Sequence, residues 1–135
     1  MPDYTNPYPH LIPNGLWKLL TLFLDANSVS GPIFVSDGYY ILRDVRAVQR
    51  VASTSGTLQI EHRLSGVAAG SGTNQLTATL SLSSTANTPT RATVISEPTI
   101  VAPGDMLGKV IAGTMTSLAD CVVSLYLERL RKGEF

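Results

Sequence analysis

A strict alternation of apolar and polar side chains near the end of the chain limits its fold more than any other feature. Between Cys121 and Arg129, the residues Cys121, Val123, Leu125 and Leu127 fall on one side, and Ser124, Tyr126 and Glu128 on the other. A period of two puts one face of a β-strand against a core and the other in water. Such a strand cannot cover its apolar side alone, so the rest of the chain has to supply partner strands. Just upstream, Ala102-Pro103-Gly104-Asp105 has the chemistry of a type II turn. Proline pre-sets φ at the first turn position and glycine supplies the positive φ needed at the second. Met106 to Ala112 alternates weakly after that turn, until Gly113-Thr114-Met115-Thr116 breaks the run.

The same period recurs upstream. Thr57 to Ser65 sets Leu58, Ile60, His62 and Leu64 against Gln59, Glu61 and Arg63, which predicts a strand with one wet face. Gln75 to Ser83 sets Leu76, Ala78, Leu80 and Leu82 against Thr77, Thr79, Ser81 and Ser83, and Arg91 to Ser96 is a short strand with Ala92 and Val94 inward. Ile33 to Val35 is a short strand ended by the hairpin-type signal Asp37-Gly38. In Tyr39 to Ala52, Ile41, Val45, Ala47 and Val51 share a face opposite Asp44, Arg46 and Arg50. Arg43 and Gln49 interrupt the apolar face, which predicts a strand end or a bulge. Leu16 to Leu24 fits two periods. Leu16, Leu19, Leu20, Phe23 and Leu24 have helical spacing, whereas Leu16, Leu20, Leu22 and Leu24 share a strand face opposite Trp17, Leu19 and Phe23. The loop chemistry of Asn27 to Pro32 and the strand character of the remainder favour a strand covered on both faces, by a sandwich or by a subunit contact.

Eight or nine short strands at this spacing predict an all-β fold: a single antiparallel β-sandwich, jelly-roll-like, over residues 16–135. Residues 1–15 are read as an extended arm, since prolines at 2, 7, 9 and 13 remove backbone donors. The arm carries Tyr4, Tyr8, His10, Leu11 and Ile12, large side chains for a solvated tail, so it is expected to lie against its own domain or a neighbouring subunit. With 44 % hydrophobic against 15 % charged residues and no net charge, the chain is neither disordered nor built to bind nucleic acid. Low charge also favours association. Residues 1–13 lack the basic start of a secretory signal, and the apolar run Leu16 to Leu24 is too short to span a bilayer, so no membrane partner is expected.

The search for chemistry returns little. No two acids form a close apolar pair suited to proton transfer, His10 and His62 have no evident triad partner, and no Gly-x-Ser-x-Gly elbow occurs. Gly66 to Asn74 is glycine-rich but lacks the Gly-Lys-Ser/Thr of a phosphate loop. His62 is read as a satisfied imidazole and Cys121 as a small core residue. No catalytic residue, metal site or cofactor is expected, and the chain is not read as an enzyme. Tyr39 and Tyr40 beside Asp37 are the best candidate for a ligand loop, in the manner of lectin sites that set aromatics beside acids.

The order AGSGTNQLTATLSLSSTANT, IVAPGDMLGKVIAGTMTSL, VVSLYLERL within Ala69 to Arg131 resembles the small β-sandwich proteins encoded among the structural genes of tailed bacteriophages, and Tyr39 to Leu64 resembles their middle strands more loosely. The resemblance implies a capsid decoration (cement) or head-fibre protein. Such a protein binds the major capsid protein on the outer surface of the head as a homotrimer and stabilises the shell. On that reading Tyr4, Tyr8, His10, Leu11, Ile12, Trp17 and Phe23 supply the contacts. The alternative is a trimeric tail-fibre or receptor-binding tip that reads a host surface glycan through Asp37, Tyr39 and Tyr40.

Overall fold

The computed structural model describes residues 17–131, so the candidate contacts Tyr4, Tyr8, His10, Leu11 and Ile12 lie outside the described residues. Nine strands follow one another: β1 (Trp17–Leu24), β2 (Gly31–Val35), β3 (Tyr39–Val51), β4 (Thr57–Arg63), β5 (Thr73–Asn74), β6 (Leu80–Ser81), β7 (Thr90–Ala92), β8 (Met106–Ala112) and β9 (Ala119–Leu130). There is no helix among the described residues. One antiparallel sheet has the order β1-β9-β3-β7 and the other β2-β8-β4-β5, with β6 also on β4. The chain therefore crosses between the sheets at nearly every connection. This interleaving is the double Greek key of a jelly roll, which agrees with the expected all-β sandwich.

Strand β9 is the spine. It pairs with β1 from Trp17↔Glu128 to Leu24↔Cys121 and with β3 from Tyr39↔Leu130 to Val51↔Ala119. Its inward residues Cys121, Val123, Leu125 and Leu127 are fully buried, as the alternation predicts. Against them pack Leu42, Val45 and Ala47 from β3 and, from the opposite sheet, Leu58, Ile60 and Leu107. The register of β3 on β9 shifts between Leu42 and Asp44. This is the interruption expected at Arg43, and the extra residue changes which parity points inward. Tyr40 and Leu42 face the core before it, and Val45, Ala47 and Gln49 after it. Ile41, placed inward by simple alternation, is consequently only half-buried. Gln49 is fully buried, and its amide donates to the Ser84 carbonyl at 2.9 Å and to the Ser84 hydroxyl at 3.1 Å.

Two expectations need correction. The face of β4 read as wet is not: Gln59, Glu61 and Arg63 are 7 %, 0 % and 5 % exposed, while Leu64, beyond the strand, is 58 % exposed. The glycine-rich segment folds over that face, as its hydrogen bonds below show. The strand expected over Gln75 to Ser83 is broken. Gln75 N–H donates to the Ile60 carbonyl, the middle leaves β4 so that Thr77 N–H reaches the Thr93 carbonyl, and pairing to β4 resumes at Leu80↔Leu58. Leu76, Leu80 and Leu82 stay buried through this detour, but Ala78 is exposed. Strand β1 is the expected strand, and the described residues cover one of its faces. Leu24 is buried and Leu20 and Leu22 pack on the core, whereas Trp17, Leu19 and Phe23 are exposed in the protomer.

The predicted turn is present: Asp105 N–H donates to the Ala102 carbonyl at 3.0 Å, and Gly104 has φ +87°. At the second break, between β8 and β9, Gly113 has φ +74°, and a Cβ there would collide with the Ser55 carbonyl oxygen. Gly113→Ala combines a disfavoured φ with a backbone clash, so it should cost about 3 kcal/mol of stability by urea unfolding, a change well beyond an ordinary surface substitution. A loss under about 0.5 kcal/mol would show that this crossing can yield.

Candidate interaction surface

The outer face of the four-stranded sheet is the most distinctive surface of the molecule. Its rows follow from the strand registers. Trp17, Leu19, Thr21 and Phe23 point outward from β1, opposite Glu128, Tyr126, Ser124 and Val122 of β9. The next row, from β3, pairs Asp44 with Tyr126, Arg46 with Ser124 and Val48 with Val122. Leu19, opposite Tyr126, is 56 % exposed, and at one end Phe23 is 72 % exposed with Val122 and Val48 alongside. Strand β1 is also the edge of its sheet. Natural edge strands usually carry charge or proline that blocks pairing with another chain. Here the outward residues of β1 carry none. The one charge, Lys18, lies on the inner side, with Nζ 5.3 Å from the centre of the Phe34 ring and 5.8 Å from that of Tyr40.

At the other end the same face becomes charged. Arg43 Nε donates to Glu128, and Arg46 Nε and Arg91 Nε each donate to Asp44, all at 2.8 Å. The Arg46 guanidinium lies 5.9 Å from the centre of the Tyr126 ring. Partial burial acts to raise the Asp44 pKa, but the hydrogen bonds from Arg91 and Arg46 outweigh it and hold the carboxyl below its ordinary 3.8. What Asp44 adds to stability is therefore present above about pH 4 and lost as pH falls through its lowered native pKa. Trp17, Tyr126, Arg43, Asp44, Arg46 and Arg91 line an open hollow of about 530 Å³.

The expected ligand loop is arranged otherwise. Tyr40 is 2 % exposed, its ring meets Phe34 edge-on at 5.6 Å, and its hydroxyl donates to Asp37 at 2.6 Å. That bond is the main cause of a lowered Asp37 pKa, while burial and then the same bond raise that of Tyr40. Asp37 is exposed and Tyr39 half-buried, so the three residues are adjacent but offer no aromatic platform at Tyr40.

His62 acquires partners invisible in sequence. One ring nitrogen lies 2.8 Å from Asp105 Oδ2 and the other 2.7 Å from Thr99 Oγ1, and Gln75 Nε2 donates to the same Thr99 oxygen at 3.0 Å. Asp105 Oδ2 also accepts from Ala102 N–H at 3.1 Å, and Gln75 Oε1 accepts from Thr99 N–H at 3.2 Å. Acid, imidazole and hydroxyl are thus lined up, yet each is tied into the segment 99–105. The network clasps that segment across the end of β4, which makes His62 a satisfied imidazole.

The glycine-rich loop does hold an anion, and the anion is the protein's own. Glu61 accepts from Gly70 N–H at 3.0 Å and Gly72 N–H at 3.4 Å. Arg63 Nε lies 3.0 Å from the same carboxylate without hydrogen-bond geometry, a coulombic contact inside the fold. Cys121 is buried, and its pKa is raised to about 11 by burial, as suits an inert core thiol. Among the described residues no group of three or more His, Cys, Asp or Glu side chains is placed to hold a metal ion.

No family model matches the chain, and no curated protein matches it. Among solved structures, it is similar to a chain from the disulfide-linked pili of Bacillus endospore appendages, at a TM-score of 0.40 and 12 % identity over 86 % of this chain and 88 % of that one. It is also similar to a chain of infectious bursal disease virus, Gx strain, at a TM-score of 0.40 and 13 % identity over 90 % of this chain, spanning 32 % of the viral one.

Sequence reading singled out Trp17 and Phe23, and the structure puts both in the outward row of β1. It also set Leu19 on that face, but it missed the share of Val122 and the gathering of Arg43, Arg46 and Arg91. The available signal was the pair of arginines flanking the bulge at Arg43. Arg91 joins them only through β3–β7 pairing, Arg46↔Arg91, which no local pattern encodes.

Proposed function

We propose that this chain is a structural protein of a virion, a decoration protein that binds the outside of a bacteriophage head. It forms a homotrimer with its own copies, contacts the major capsid protein, and stabilises the shell by bridging coat subunits. It is not an enzyme. The observation that carries the reading is the outward row of β1, in which Leu19 and Phe23 are more than half exposed and no outward residue is charged. Exposed apolar rows of this kind mark contact surfaces. Full burial of a leucine or phenylalanine stabilises an assembly by roughly 1.5–3 kcal/mol each, and several weak contacts made at once multiply through avidity. The resemblance of residues 69–131 to bacteriophage structural proteins supports the shell as the larger partner. The tail-tip alternative has less support at the loop first expected, because Tyr40 is used in the core.

The test is the mass of the full chain in solution by sedimentation, followed by imaging of its position on particles. A trimer is expected, and Leu19→Asp combined with Phe23→Asp should yield a folded monomer with self-affinity reduced about a hundredfold or more. A wild-type monomer that leaves particles bare would end this reading.

A further inference from the structure

The hollow at the charged end of the outer face carries arginine donors that an apolar contact through Leu19 and Phe23 does not use. Its Trp17 wall lies about 20 Å along β1 from Phe23, at a strand rise near 3.3 Å per residue, while Leu19 pairs with Tyr126 at its margin. It spans four strands: Trp17 from β1, Tyr126 from β9, Arg43, Asp44 and Arg46 from β3, and Arg91 from β7. Each arginine hydrogen-bonds its carboxylate through Nε alone, and the side chains of Arg43, Arg46 and Arg91 are 43 %, 56 % and 67 % exposed. Their Nη groups make no hydrogen bond with the described residues. Carboxylates thus fix the bases of the guanidinium groups while the donor ends stay open to solvent. A planar fork of this kind is suited to bidentate recognition of an oxyanion.

We propose that the hollow framed by Trp17, Tyr126 and the Arg43, Arg46 and Arg91 guanidinium groups is a binding site for a singly charged carboxylated sugar of the uronic acid class.

Charge sets the class of anion. Three arginines against Asp44 and Glu128 leave one surplus positive charge, which matches a monocarboxylate better than a doubly charged phosphate. The two aromatic rings set the rest. Trp17 is 41 % exposed at the rim and can cover the apolar face of a sugar ring, while the carboxylate oxygens of Asp44 can accept from its hydroxyls. A hollow of about 530 Å³ lies within the range of sites for small ligands. An acidic peptide fits less well. Extended peptides gain much of their affinity from main-chain pairing at a sheet edge, and this hollow opens on the face of the sheet, where side chains alone are on offer.

The chain has a single tryptophan, so Trp17 emission reports on the hollow directly. Titrating the full chain with methyl β-glucuronide should give a saturable change with Kd on the order of 1 mM, whereas neutral methyl β-glucoside should give none. Arg91→Gln, an exposed change on an edge strand, should weaken the glucuronide about tenfold or more with the far-ultraviolet spectrum and sedimenting mass unchanged. Mass is read on the same samples, so failure of the sugar site is distinguishable from failure of the assembly reading. Equal responses to both sugars, no response to the glucuronide, or an unweakened Arg91→Gln variant would overturn the proposal. A tri-glutamate peptide binding tighter than the glucuronide would also overturn it, in favour of a protein ligand.

Discussion

Replacing Glu61 by alanine should lower the free energy of unfolding by about 3–5 kcal/mol, the range for removing one member of a buried ion pair. The effect has two sources. Glu61 is fully buried beside Arg63, itself 5 % exposed, so the variant leaves a buried guanidinium without its counter-charge. Arg63 has little to fall back on: Nη1 donates to the Val67 carbonyl at 3.3 Å, and Nη2 has no hydrogen-bond partner. The amides of Gly70 and Gly72 also lose their acceptor, which releases the loop from the outer face of β4. Urea unfolding gives the first quantity, and hydrogen exchange at the two glycine amides gives the second. Pairing Glu61→Met with Arg63→Leu should recover most of the loss, because removing both charges removes the unpaired one. If Glu61→Ala unfolded at the wild-type midpoint with both amides still protected, this clasp would contribute nothing.

Leu125→Ala should cost about 3–4 kcal/mol through lost transfer energy and the cavity left behind. Leu125 is fully buried at the middle of β9, and its backbone faces Leu20 of β1 on one side and Val45 of β3 on the other. A void there loosens the strand that seats the edge carrying Leu19 and Phe23. Calorimetry should therefore show a lower unfolding temperature, while the sedimenting mass below that temperature stays that of the wild type, because no surface residue has changed. A Leu125→Ala protein that melts with the wild type would mean the two sheets close over the gap at little cost.

Strand existence was legible in the sequence wherever one face alone is buried. Cys121 to Leu127 is the clearest case, since alternation there reports burial directly. The sequence misleads where a second layer covers a polar face. Gln59, Glu61 and Arg63 look solvent-facing, but the backbone of Leu76 closes on Gln59 and the returning glycine loop on Glu61 and Arg63. It also misleads at Gln75 to Ser83, where even alternation conceals a detour to Thr93 in the middle of the segment. Of the interaction surface, Trp17 and Phe23 were readable because β1 is apolar on both sides. The clustered arginines and the partners of His62 were not, since they depend on residues 37 to 85 positions apart in the chain.

The antiparallel pairing of β1 with β9 gives the molecule two unlike poles. Trp17 faces Glu128, so the described chain enters and leaves at the pole of the arginine hollow, while Leu24 faces Cys121 at the other. A fluorophore placed on Arg131, the last described residue, sits at the pole remote from Phe23. Cargo held there would leave Phe23 clear for docking and crowd the arginine hollow instead.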